Sequence, residues 1–174
     1  LSNLQEGGGL LRIGAIPTIM PYFIAPRIYA FCRQFPDVEV QLSEKVTARL
    51  VEDVQAGLLD FAVLSLPIAN PDLVCSELFR EDLFLAVGKS HSFAGNKIVS
   101  LKELAHERLL LLREGHCFRE NVLTACTRAN AEVQSVFETD QMGSIFPLVA
   151  SGFGITLVPA MATASAAGCV IIPV

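Results

Sequence analysis

The chain has 174 residues, 52% of them hydrophobic, which is enough apolar side chain to bury a sizeable core in one domain or in two small ones. The formal net charge is −5, only 18% of the residues are charged, and Lys and Arg do not cluster, so this chain by itself lacks the basic face that DNA phosphates require. No apolar run reaches the about 18 residues of a membrane span and no secretory signal opens the chain, which predicts a cytoplasmic protein without a membrane partner.

The first part of the chain predicts alternating strands and helices. Residues 1–9 end in three glycines and are expected to be the remnant of a linker. The elements expected after it are strands at 10–15, 38–42 and 59–64, a helix at 21–34, and a helix at 48–56 with Thr47 as its N-cap. Such alternation with short loops is typical of parallel strands joined by right-handed crossovers. Ligands bind beyond the carboxyl ends of these strands, so Thr18 and Thr47 are expected to face one crevice.

From residue 78 the alternation begins again. The expected elements are strands at 82–87, 109–112, 133–137, 155–158 and 170–172, and helices at 101–104, 118–129 and 140–151. We therefore predict an α/β fold of two Rossmann-like lobes. Lobe I is expected to comprise residues 10–80 and 169–174, and lobe II residues 81–168.

The five cysteines follow no regular short spacing, which argues against a secreted disulfide framework. The sequence contains no C-x-x-C pair and no paired Cys and His ligand set, so neither a metal nor another cofactor is expected. Cys32, Cys75 and Cys169 lie in apolar segments and are assigned to packing.

Cys117 and Cys126 differ from the other three in their context. Gly115 and His116 precede Cys117 at the start of the predicted helix, and Arg119 follows it. A helix N-terminus and neighbouring cationic groups favour the reactive thiolate form. Nine residues of helix would separate the two Cα atoms by about 13 to 14 Å, whereas a disulfide needs about 4.4 to 6.8 Å. A disulfide between the two would therefore require the helix to unwind. The other interpretation is that both cysteines are simple core residues.

Four segments resemble the regulatory domain of LysR-type transcription regulators, which has a periplasmic-binding-protein-like fold. They are Leu11-Arg-Ile-Gly-Ala-Ile-Pro-Thr18 with Pro21-Tyr22, Gly57-Leu-Leu-Asp60, Leu111-Leu-Arg-Glu-Gly-His-Cys117 with Arg119 and Cys126, and Val149-Ala-Ser-Gly-Phe-Gly-Ile-Thr-Leu-Val-Pro159. The first, second and fourth recur broadly in that family and indicate the fold. The third is more specific, because Gly-His-Cys with a second cysteine nine residues on is similar to the hydrogen-peroxide-sensing members.

The resemblance implies a role for each of these residues. Cys117 would react with hydrogen peroxide and Cys126 would become its disulfide partner, while Thr18, Thr47 and His116 would shape the peroxide pocket. Arg119 would either favour the thiolate or simply face solvent. The implied protein is a regulator and not an enzyme.

The resemblance also implies partners and missing parts. A homodimer or homotetramer, RNA polymerase, and a disulfide reductant such as glutaredoxin or thioredoxin are expected. Promoter DNA would bind through an N-terminal helix-turn-helix domain that this chain does not contain. The last strand and helix of lobe I are also expected to be missing.

Three other functions remain open on the sequence. One is a LysR-type effector domain that binds a small organic ligand and whose cysteines are incidental. Another is a thiol peroxidase that turns over with a reductant. A free-standing solute-binding protein shares the two-lobed fold, but no signal peptide supports it.

Overall fold

The structure is a computed structural model that describes residues 9–68 and 70–174. The chain divides into two units, with the division between Ser76 and Glu77. This division falls just before the lobe boundary that we predicted at residue 80. The predicted linker at residues 1–9 lies outside the described residues except for Gly9, which begins the first strand.

The first unit contains a three-stranded parallel sheet. Its strands are β1 (Gly9–Ala15), β2 (Val38–Glu44) and β3 (Phe61–Val63), in the order β2-β1-β3. A π-helical turn (Met20–Ile24) leads into α1 (Ala25–Gln34), and α2 (Thr47–Gln55) connects β2 to β3. The predicted strand and helix alternation and the parallel pairing are confirmed here.

The start of α2 differs from the prediction. Thr47 is not the N-cap but the first helical residue, because Val46 keeps an extended conformation (ψ 157°) and takes the cap position. No side chain caps this helix end. The Thr47 hydroxyl is therefore available for another role.

Close packing in the first unit depends on a glycine in β1. A Cβ atom added to Gly14 would lie 2.6 Å from methyl groups of both Leu50 and Leu59. Leu50 is fully buried on α2, so this helix packs directly on the backbone of β1. The sheet and α2 together hold the end of β1 in place.

The second unit contains antiparallel and parallel pairs. Strand β4 (Leu83–Gly88) lies between β7 (Thr156–Pro159) and β8 (Cys169–Pro173) and is antiparallel to both. Strands β5 (Arg108–Leu112) and β6 (Gln134–Thr139) are parallel. A bridge between Leu109 and Ile155 links β5 to the residue that precedes β7. The unit also contains helices α3 (Cys117–Arg128) and α4 (Met142–Ala150) and short 3₁₀ helices at Ser92–Gly95, Leu101–Leu104 and Ala160–Ser165.

The end of the chain corrects one prediction. We assigned residues 169–174 to the first lobe, but they belong to the second unit, where β8 pairs with β4. The pairing places Ile172 opposite Leu85 and buries both almost completely. The apolar run at residues 169–173 therefore supplies the hydrogen-bonding partner for the edge of β4 that β7 does not cover.

The core of the second unit surrounds β5. Leu109 and Leu110 are fully buried, and Leu111 and Leu112 are nearly so. A strand covered on both faces is held rigidly, so the segment that follows it begins from a fixed point. Across residues 9–68 and 70–174, no helix combines the length and apolar composition needed to cross a membrane.

Candidate functional site

The candidate site is the segment that joins β5 to α3. Gly115 has a φ of +94°, a conformation that L side chains rarely adopt, and it redirects the chain after the strand. His116 is extended and takes the N-cap position of α3, and Cys117 is the first helical residue. The prediction of a helix at 118–129 is confirmed to within one residue at each end. Cys117 therefore lies at the positive end of a helix dipole.

Cys117 and Cys126 lie on this one helix. Nine residues of helix separate their Cα atoms by about 13 to 14 Å and place the residues on opposite faces, while a disulfide needs about 4.4 to 6.8 Å. Both are free thiols; Cys117 is half-buried and Cys126 is 1% exposed. Desolvation in this environment raises the pKa of the Cys126 thiol above its ordinary value. With α3 intact, the two sulfurs cannot bond.

His116 is buried and contacts a carboxylate that sequence analysis did not single out. Its ring is 3% exposed, and its Nε2 lies 3.4 Å from Oδ1 of Asp140. The other oxygen of Asp140 accepts a hydrogen bond of 2.9 Å from Nη1 of Arg113. Asp140 directly follows β6, and Arg113 directly follows the parallel strand β5. The parallel strands thus bring both residues to one sheet edge, which is the signal that could have identified Asp140.

Arg119 ties the first turn of α3 to both strands. Its Nη1 donates to the Leu112 carbonyl at 3.0 Å and to Oε1 of Glu138 at 2.7 Å. The Arg119 side chain is only 17% exposed, so the alternative that it simply faces solvent is wrong. Glu138 lies on β6, and its Oε1 also accepts from the Ser135 hydroxyl at 3.3 Å. The beginning of α3 is therefore held to β5 and β6 by one guanidinium group.

Thr18 and Thr47 belong to the first unit. Thr18 is 4% exposed and follows β1 by three residues, and Thr47 follows β2 by three residues. The strands are parallel with Ala15 opposite Glu44, so both threonines follow the same edge of that sheet. The Thr47 hydroxyl oxygen is buried and has no hydrogen-bond partner among the described residues. The predicted site residues thus form two groups, one in each unit.

The other cysteines and possible metal ligands give a mixed result. Cys32 and Cys169 are half-buried, and the Cys169 thiol donates to the Phe146 carbonyl at 3.5 Å. Cys75 is exposed, so its assignment to packing is wrong; it lies in a stretch without helix or strand that could bury it. Within the described part of the chain, no three His, Cys, Asp or Glu side chains are placed to hold a metal ion.

Alkylation of the reduced chain is expected to distinguish the two helix cysteines. Iodoacetamide should label Cys117 before Cys126, because Cys126 is inaccessible and burial raises its thiol pKa. Peptide mass spectrometry over a time course measures both rates. In denaturant the difference should disappear, since the helix and the burial are both lost; equal labelling of the folded chain would contradict the burial described here.

The family follows from comparison with known proteins. Residues 4–174 match the LysR substrate binding domain, and the chain belongs to that family. Among curated relatives it is similar to the hydrogen peroxide-inducible genes activator of Pectobacterium carotovorum subsp. carotovorum, with 35% identity over 160 residues. It is also 35% identical over 161 residues to the DNA-binding transcriptional dual regulator OxyR of Escherichia coli K12. These alignments cover 90% and 91% of this chain and 53% of each relative, so the chain spans about half their length.

Solved structures give the same result for the fold. The oxidised form of OxyR matches with 33% identity and a TM-score of 0.80, over 95% of this chain and 80% of that one. The reduced OxyR regulatory domain of Pseudomonas aeruginosa matches with 31% identity and a TM-score of 0.84, over 95% and 82%. The predicted fold class is therefore confirmed. The relatives are transcription regulators, which agrees with the prediction that the chain is not an enzyme.

Proposed function

We propose that this chain is the hydrogen-peroxide-sensing regulatory domain of an OxyR-like transcription regulator, switched by oxidation of Cys117 and a disulfide with Cys126. The observation that carries the proposal is the position of the two thiols on α3, one half-buried at its start and one buried near its end. The similarity to peroxide-inducible activators supports the choice of oxidant. A mutant OxyR of Corynebacterium glutamicum with H2O2 bound also matches, with 28% identity and a TM-score of 0.88 over 96% of this chain and 54% of that one.

The chemistry balances with one peroxide molecule and two thiols. The Cys117 thiolate attacks one oxygen of H2O2, the O–O bond breaks, and the other oxygen leaves as hydroxide that solvent protonates to water. Cys117 is then a sulfenic acid. The Cys126 sulfur attacks the sulfenic sulfur, an S–S bond forms, and the sulfenic oxygen leaves as a second water. Two electrons have passed from the two thiols to peroxide.

The second step cannot occur with α3 intact, so disulfide formation has to change the structure of this segment. Closing a gap of about 13 Å between Cα atoms to disulfide range requires the helix to unwind. Unwinding removes the contacts of Arg119 with β5 and β6 and the burial of Phe118 and Val122. The disulfide is therefore incompatible with the reduced packing of this helix.

The polar residues are assigned roles around this chemistry. His116 of the second unit is proposed to hydrogen-bond hydrogen peroxide, and Thr18 and Thr47 of the first unit are proposed as polar ligand-binding residues, since imidazole and hydroxyl groups can both donate and accept. The buried Thr47 hydroxyl without a partner among the described residues supports its part in this assignment. Arg119 is proposed to hold the first turn of α3 around Cys117.

The full-length regulator is proposed to act through partners outside this chain. It would form a homodimer or homotetramer in the cytoplasm and bind promoter DNA through an N-terminal helix-turn-helix domain. It would act on RNA polymerase, and glutaredoxin or thioredoxin would reduce its disulfide.

Peptide mapping under non-reducing conditions tests the proposed function. After treatment with stoichiometric peroxide, a Cys117–Cys126 bond is expected, together with altered protease sensitivity over residues 113–130. A disulfide without that change would contradict the helix rearrangement. Thiols that stay reduced, with a rise in melting temperature on adding a small organic metabolite, would favour the ligand-binding alternative.

The contact between Arg119 and Glu138 gives a kinetic prediction. In E138Q the tie between α3 and β6 is weaker, so α3 opens more often and disulfide formation from the sulfenic acid should be about two- to fivefold faster. Quenched-flow mixing with a thiol-alkylating reagent measures the rate of this step. The matched control is E132Q, which removes an exposed carboxylate just before β6. An unchanged rate in E138Q would show that the tie does not limit opening.

A further inference from the structure

His116 has one side-chain partner in the described part of the chain, and that partner is a carboxylate. Its Nε2 lies 3.4 Å from Oδ1 of Asp140. A carboxylate oxygen only accepts hydrogen bonds, so Nε2 has to carry the proton in this contact. In the neutral imidazole, Nδ1 then has no proton and is an acceptor. The neighbour of His116 is Cys117, so this tautomer is fixed beside the candidate reactive thiol.

We propose that Asp140 is a positioning residue, held by Arg113, that fixes the proton of His116 on Nε2 and leaves Nδ1 to accept a hydrogen bond from the peroxide that reacts with Cys117. This inference rests on the proposed function. It goes further by assigning Asp140 and Arg113 to the site and by giving His116 a defined direction of hydrogen bonding.

The backbone explains why this arrangement holds. Arg113 N donates to the Thr139 carbonyl at 2.8 Å, which fixes the residue after β5 against the end of β6. His116 N is 3.4 Å from the Arg113 carbonyl, which closes the turn at Gly115. Asp140 follows Thr139 directly. Arg113, His116 and Asp140 therefore take their positions from one strand pair and one turn.

An acceptor at Nδ1 orients peroxide for attack. The O–H of the oxygen that Cys117 attacks donates to Nδ1, and this proton stays on that oxygen in the sulfenic acid. The electron pair of the sulfur forms the S–O bond, and the O–O bonding pair leaves with the distal oxygen. With a proton on Nδ1, the imidazole would present a donor at this position and could not accept the hydrogen bond from peroxide. The peroxide would then lose its orientation toward Cys117.

Arg113 allows a specific test with the variant D140N. A guanidinium group only donates hydrogen bonds, so it holds the oxygen of the introduced amide and leaves the amide NH2 facing His116. Nε2 then has to accept, and the imidazole proton moves to Nδ1. In a serine-protease triad, the same carboxyl-to-amide change leaves the histidine in the wrong tautomer.

The experiment uses the reduced chain at about pH 8 and two measurements. Long-range ¹H–¹⁵N correlation of His116 should show the Nε2–H tautomer in the wild type and the Nδ1–H tautomer in D140N. The second-order rate constant of Cys117 with peroxide should fall about tenfold in D140N, the factor for one lost hydrogen bond. The variant E114Q, which removes an exposed carboxylate next to Arg113, should leave both unchanged.

A double variant separates orientation of the amide from a general structural effect. In R113M/D140N the amide is no longer held by a guanidinium group, so its oxygen can turn toward Nε2. The Nε2–H tautomer and most of the rate should then return. D140E, which keeps a carboxylate, should retain both the Nε2–H tautomer and the rate. The fold should tolerate these changes, because the Asp140 side chain is 57% exposed.

Several results would overturn the inference. One is a wild-type His116 in the Nδ1–H tautomer, and another is an unchanged tautomer or rate in D140N. A wild-type Cys117 that does not react with peroxide would instead overturn the proposed function, and the tautomer would still show whether Asp140 fixes the His116 proton. The two failures are therefore distinguishable.

Discussion

C117S is expected to abolish oxidation of the chain by stoichiometric peroxide, both the sulfenic acid and the Cys117–Cys126 disulfide. A serine hydroxyl does not form the anionic nucleophile that a thiolate provides near a helix N-terminus. The buried Cys126 cannot replace it, because it is 1% exposed and desolvation raises its thiol pKa. Intact-mass spectrometry and peptide mapping after a short exposure to peroxide measure the loss.

Two further variants control this experiment. C126S should react with peroxide at the wild-type rate but stop at the sulfenic acid, which dimedone traps as a stable adduct. C75S removes an exposed cysteine and should leave the disulfide unchanged. Peroxide consumption by C117S at the wild-type rate would mean that another thiol is the sensor. A disulfide between Cys117 and another cysteine in C126S would show that Cys126 is not the partner.

G154A is expected to destabilise the second unit by about 3 kcal/mol, at the upper end of the usual effect of overpacking. A Cβ atom at Gly154 would lie 2.5 Å from the Arg108 carbonyl oxygen and even closer to a methyl group of Leu110. The backbone cannot withdraw, because Ile155 N donates to that carbonyl at 2.9 Å and Leu110 N donates to the Ile155 carbonyl at 2.8 Å. The strain falls on β5, which holds the candidate site.

Urea unfolding followed by circular dichroism measures the change in stability. G143A is the matched control, because Gly143 lies in α4 and an added Cβ would meet nothing within 4 Å. Alanine is the better helix former, so G143A should be neutral or stabilise by up to about 1 kcal/mol. Similar unfolding midpoints for G154A and the wild type would show that the β5 contact relaxes at little cost.

The sequence predicted elements well where local patterns decide them. The alternation in the first unit specified β1, β2, α2 and the parallel pairing of the two strands. Gly115 followed by a helix-forming run located the start of α3. These features depend on propensity and hydrophobic periodicity within a few residues. The helix cap at Thr47 was wrong by one position, which is the usual uncertainty at element ends.

Long-range partners were harder to predict. The apolar run at residues 170–172 indicated a strand but not that its partner is β4, because any open strand edge satisfies the same pattern. Asp140 and Glu138 were missed as partners of His116 and Arg119 for a related reason. Their positions become meaningful only once β5 and β6 are known to be parallel neighbours, and a charge in the sequence does not identify its partner.

The burial of Cys126 has a consequence for the oxidised form. If its sulfur leaves to meet Cys117, a space the size of a small apolar side chain opens on the buried face of α3. Protein interiors hold few such voids, so neighbouring side chains must collapse into it or water must enter. The disulfide would thus create a cavity in the second unit. Repacking of side chains into that cavity would give the oxidised protein a surface different from that of the reduced one.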